Sequence, residues 1–67
     1  MNIEQIGAMA GQVWGYLAEN GESSRAQIKK GLDGIDDFGL AAALGWLARE
    51  DKITFLESGR YFTITLK

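Results

Sequence analysis

The sequence predicts an α+β fold, three helices followed by a β-hairpin, and three observations predict it. Up to Glu50, apolar residues recur at steps of three and four, the mark of amphipathic helices. From Ile53 onward the spacing changes to two, the mark of strands with one covered face. Gly21, Gly31 and Gly34 stand where the helical runs break off.

The first helix follows from Ile3, Ile6, Ala10, Val13, Trp14 and Leu17, which share one stripe. Asn20-Gly21 ends it, because glycine tolerates the left-handed backbone beyond a helix terminus. A short helix, about Arg25 to Lys30, starts at Ser24-Arg25-Ala26-Gln27. There the Ser hydroxyl accepts from the third helical amide while the Gln side chain reaches back. Ile28 is its only large apolar residue, so it should lie on a core supplied by the other elements. The third helix begins at Asp36, a good N-cap, with Ile35 and Leu40 placed as a hydrophobic staple. It runs through Leu40, Leu44 and Leu47 to about Glu50. Ile53–Leu56 and Tyr61–Leu66 then alternate as two strands around Ser58-Gly59. A two-residue turn there sets Phe55 opposite Phe62 and Ile53 opposite Ile64, with Leu56 facing Tyr61 on the other side. A very short strand near Glu22-Ser23 would be able to join the hairpin.

Helix, short helix, helix, hairpin is the order of a winged helix-turn-helix domain. The hairpin is the wing, and the third helix holds the place of the recognition helix. Residues 1–67, at 7.3 kDa, make a single such domain. The run Ala43-Leu44-Gly45-Trp46-Leu47-Ala48-Arg49-Glu50-Asp51-Lys52-Ile53 resembles the signature of a family of small prokaryotic winged helix-turn-helix domains of unknown function. Ala10-Gly11-Gln12-Val13-Trp14, Leu17 and Asn20-Gly21 resemble the same family. The resemblance covers nearly the whole chain and implies the fold and a dimeric state. It transfers no catalytic or ligand residue.

The chain has no Cys and no His, which excludes disulfides, thiolate or imidazole metal sites and the triads built on them. No cofactor or metal is expected. Asp36-Asp37 and Glu50-Asp51 are neighbours in sequence, but adjacent helical side chains point about 100° apart and do not converge on a substrate. No glycine-rich phosphate loop is present, and Ser23 and Ser24 lack a base. The expectation is a non-enzymatic protein. The N-terminus has neither the basic start nor the apolar run of a signal peptide, and no apolar stretch approaches the length of a membrane span. A cytoplasmic location without membrane contact is therefore expected.

Duplex binding, the activity most readily suggested by the fold, meets a poor set of residues. Net charge is -2 and the sequence pI about 4.9, whereas phosphate contacts require clustered Lys and Arg. With Leu40, Leu44 and Leu47 turned inward, a helical wheel places Phe38, Ala42, Gly45, Trp46 and Arg49 outward, behind Asp36 and Asp37 at the leading end. Lys29, Lys30, Arg49 and Arg60 are the candidate nucleic-acid contacts, and Arg25, Lys52 and Lys67 complete the scattered cations. A homodimer, or a complex with another protein, fits the apolar face better. Its candidate contacts are Phe38, Ala42 and Trp46, with Met9 and Tyr16 at the edge of the first helix and Leu56 and Tyr61 on the wing. Phe38 and Trp46 have an alternative, folding back onto the wing or the short helix. Gly7, Gly11 and Gly15 form a ridge that costs roughly 2–3 kcal/mol of helix propensity. Close approach of another backbone would offset that cost, from the third helix of the same chain or the first helix of a symmetry mate.

Overall fold

The computed structural model describes all residues, Met1–Lys67. Helix α1 (Ile3–Asn20) is followed by a short strand β1 (Ser23–Ser24), helix α2 (Arg25–Gly31), helix α3 (Asp37–Arg49) and the hairpin β2 (Ile53–Ser58) and β3 (Tyr61–Leu66). The strands form one antiparallel sheet in the order β1-β3-β2. The expected short strand thus exists, one residue later than Glu22-Ser23, and pairs through Ser23 with Ile64.

Each helix starts where a side chain satisfies its free amides. Ser24 Oγ accepts from the Gln27 N–H at 3.1 Å while Gln27 Oε1 accepts from the Ser24 N–H at 2.8 Å, the reciprocal cap expected for α2. Asn2 and Gln5 form a second such box before α1, at 2.9 and 2.8 Å. For α3, Asp36 Oδ1 accepts from the Gly39 N–H at 2.7 Å. Gly21 closes α1 with φ of 77°, and its N–H donates to the Leu17 carbonyl.

The core lies between α1, α3 and the base of the sheet. It comprises Ala10, Val13 and Leu17 from α1, Ile28 from α2 and Ile35 before α3. Leu40, Ala43, Leu44 and Leu47 come from α3, and Ile53 and Ile64 from the sheet. Ile28 is fully buried, so the short helix is pinned by its one large apolar side chain.

The hairpin register differs from the sequence-based expectation by two residues. Phe55 pairs with Ile64 and Ile53 with Leu66, so the tight turn falls at Gly59-Arg60, with φ of 62° at Gly59. A shift of two preserves faces, which is why the alternation pattern alone does not distinguish the two registers. Phe55 and Phe62 still share a face and meet diagonally, edge to face, with centroids 5.8 Å apart. Leu56 lies opposite Thr63, and Tyr61 opposite Ser58, so Leu56 and Tyr61 are not directly paired.

Candidate functional site

Helix α3 is apolar on both sides, and the chain covers only one of them. Gly39, Leu40, Ala43, Leu44 and Leu47 are buried. Ala42 and Trp46 border this face and are half-buried. Phe38, Ala41, Gly45, Ala48 and Arg49 are exposed, and together they span roughly 100° of the helix circumference. Phe38 is 72% exposed. The outward side is thus as wide as the wheel suggested but rotated, with Ala41 and Ala48 in place of Ala42 and Trp46. The helix turns slightly so that the small Ala43, not only the leucines, packs inward, and this carries Ala42 and Trp46 toward the core.

Phe38 does not fold back onto its own chain, whereas Trp46 packs against the core. Its indole lies against α1 at Gly7, where an added Cβ would stand 3.5 Å from Cζ2 of the ring. That is ordinary van der Waals contact, so Trp46 packs on Gly7 without requiring a glycine there. Gly11 and Gly15 are different, because a Cβ at either would meet nothing within 4 Å. Intrachain packing therefore requires a glycine at none of the three ridge positions. Gly39 fits closely: a Cβ there would stand 2.9 Å from Met9 Sδ.

Trp14 and Trp46 border an open groove of about 540 Å³, floored by Gly7, Ala10 and Gly11. Its far end carries Glu50, Asp51, Lys52 and Lys67, arranged as the exposed ion pairs Lys52–Glu50 and Lys67–Asp51. Of the remaining residues expected at a protein interface, Met9 and Tyr16 are half-buried and packed against the core. Leu56 is 44% and Tyr61 79% exposed. The seven candidates therefore do not make one surface. Phe38, Leu56 and Tyr61 are free, whereas Met9, Tyr16, Ala42 and Trp46 are partly covered by their own chain.

The cations divide in the same way. Lys29 Nζ donates to Asp37 Oδ1 at 2.9 Å, tying α2 to the first turn of α3. That hydrogen bond, and then the ammonium's charge, hold the Asp37 carboxyl below its ordinary value of 3.8. Lys30, Arg49 and Arg60 belong to none of the three ion pairs. Arg60 shares a cleft with Arg25, a neighbour that sequence spacing could not reveal. No cluster of three or more His, Cys, Asp or Glu side chains is arranged to hold a metal ion.

The family model described as "Winged helix-turn-helix domain (DUF2582)" matches residues 1–66. The chain belongs to this family. It is also similar to the uncharacterized protein MJ1608 of Methanocaldococcus jannaschii, with 43% identity over 65 residues, covering 94% of this chain and 91% of the relative. The family assignment agrees with the α+β architecture of three helices and a hairpin wing. Winged helix-turn-helix domains are often DNA-binding or regulatory, and typically non-enzymatic; the family's own function is unknown. No helix of the chain is long and apolar enough to cross a membrane.

Proposed function

We propose that the domain is a non-enzymatic, cytoplasmic protein-interaction or regulatory adaptor module that works as a homodimer. One observation carries this reading: the exposed side of the would-be recognition helix presents Phe38, Ala41, Gly45 and Ala48, with Arg49 its single cation. Base readout needs outward Arg, Asn, Gln or Ser, and docking needs neutralised phosphates. Asp36 and Asp37 stand instead at the leading end of α3. The accessible surface, 4673 Å², exceeds the roughly 4,200 Å² expected of a folded 7.3-kDa monomer. Phe38, Leu56 and Tyr61 are among the large apolar side chains left exposed, which favours association.

The test is sedimentation of the purified chain over a range of concentrations, with and without duplex DNA. A mass that rises toward the dimer, unaffected by DNA, is the expected result. A concentration-independent monomer retained on duplex, with retention falling steeply in salt, would favour a transcriptional regulator contacting phosphates through Lys30, Arg49 and Arg60.

A further inference from the structure

We propose that the cleft between the start of α2 and the wing tip binds a phosphate monoester carried on a planar ring, such as a mononucleotide. The cleft encloses about 330 Å³ and is lined by Ser24, Arg25, Ala26, Arg60, Tyr61 and Phe62. That volume suits a small ligand, at the lower end of the range for ligand pockets.

Its charge selects the ligand's sign. Arg25 and Arg60 arrive from elements far apart in sequence, and no carboxylate lines the cleft with them. Neither guanidinium takes part in an ion pair, whereas Lys29, Lys52 and Lys67 all do. Of the nearby acidic groups, Asp37 is paired with Lys29; Glu22 accepts from the Thr63 hydroxyl and keeps its charge, and Glu57 lies cross-strand from Phe62, but neither glutamate lines the cleft. In a chain of net charge -2, two unpaired arginines on one concavity are an exception. Guanidinium forks match phosphate oxygens in pairs, which a lone lysine does not.

The remaining lining selects the ring. Tyr61 is 79% exposed and Phe62 borders the same cleft, edge to face with Phe55 behind it. Aromatic residues in the lining of a cationic cleft favour a stacked planar group. A duplex is disfavoured, because the exposed face of α3 offers it one cation, Arg49, and no Asn, Gln or Ser. The cleft therefore reads as a pocket for a small anion and not as part of a groove-tracking surface.

The test is calorimetric titration in 0.15 M salt with four probes: inorganic phosphate, adenosine, AMP and phenyl phosphate. AMP and phenyl phosphate should each bind at least tenfold tighter than inorganic phosphate, and AMP at least tenfold tighter than adenosine. Amide shift changes should concentrate at Ser24–Ala26 and Gly59–Phe62. Arg25→Gln and Arg60→Gln should each weaken AMP about tenfold, and Arg60→Lys should not restore it. Tyr61→Ala should weaken AMP about tenfold and inorganic phosphate less than twofold. Equal losses from Lys30→Gln or Arg49→Gln would overturn the proposal, since they would mean a diffuse field. So would displacement of AMP by a short duplex at equal phosphate concentration. Tyr61 also belongs to the proposed interaction surface, so sedimentation is run with and without AMP. A monomer that binds AMP leaves this site standing while the association reading fails.

Discussion

The two long sides of α3 resemble each other in composition and differ in what lies against them. Inward, Leu40 and Ala43 are fully buried against α1 and the sheet base, and Leu44 and Leu47 are nearly so. Outward, Phe38, Ala41, Gly45 and Ala48 meet solvent. Hydrophobicity alone therefore does not say which residues hold this domain together; coverage by α1 does. The largest expected effect tests that directly. Leu40→Ala should destabilise the chain by about 2–5 kcal/mol, the range for a buried leucine leaving a cavity. Phe38→Ala should stay within about 0.5 kcal/mol in urea unfolding at low protein concentration. Equal losses would mean that Phe38 is core and the outward face is not a separate surface.

Trp46 lies on the boundary between the two sides, and its substitution sharpens the comparison. Its ring covers Gly7 and packs beside the core, yet it remains half-buried. Trp46→Ala should cost about 2 kcal/mol, less than a fully buried tryptophan would. Thermal unfolding at low concentration measures that share, and sedimentation of the same variant measures any share in association. A variant that keeps full stability but loses association would place Trp46 on the outward side after all.

How much of this was legible in the sequence depends on the range of the interaction. Caps act over three residues, so Ser24-Gln27 and Asp36 could be read directly, and the structure has both. The core stripe of α3 followed from helical spacing. The hairpin register did not, because a slip of two residues keeps every side chain on its face; the turn at Gly59-Arg60 decides it. The placement of Trp46 on Gly7 was equally out of reach, since it depends on how α1 crosses α3. The Arg25–Arg60 cleft needed the wing to fold back beside α2, which no local signal encodes.

The glycines extend the comparison to α1 with smaller effects. Gly11 is exposed and has room for a side chain, so Gly11→Ala should stabilise an isolated monomer by about 0.5–1 kcal/mol through helix propensity. For a domain of this size that is a rise of a few degrees in Tm. Gly39→Ala should yield none of this gain, because its Cβ would press on Met9 Sδ and on Asp36 Oδ1, the oxygen that caps α3. The pair also probes coverage of the ridge. If the Gly11→Ala gain disappears as concentration rises, a second copy packs its backbone there; if it persists, the ridge faces solvent.

The smallest effect belongs to the exposed end of the outward side, at Asp37. Its carboxyl is held below 3.8 first by the hydrogen bond from Lys29, then by the charge of Lys29, with Arg25 adding to the depression and desolvation opposing it. A folded-state value below the unfolded one stabilises the fold above the unfolded pKa, and that contribution is lost as pH falls through the folded value. Both carboxyl and ammonium are substantially exposed, so the pair is screened by salt and contributes little. In Lys29→Gln, a carboxyl-detected NMR titration should place the Asp37 midpoint closer to 3.8, with a residual depression from Arg25. Acid-unfolding curves of the variant and the parent should converge once pH drops through the folded Asp37 value, because the pair is then absent from both. A midpoint unmoved by the substitution would mean that Lys29 does not hold Asp37 in solution. The leading end of α3 would then present an unneutralised carboxylate, a still poorer approach for phosphate.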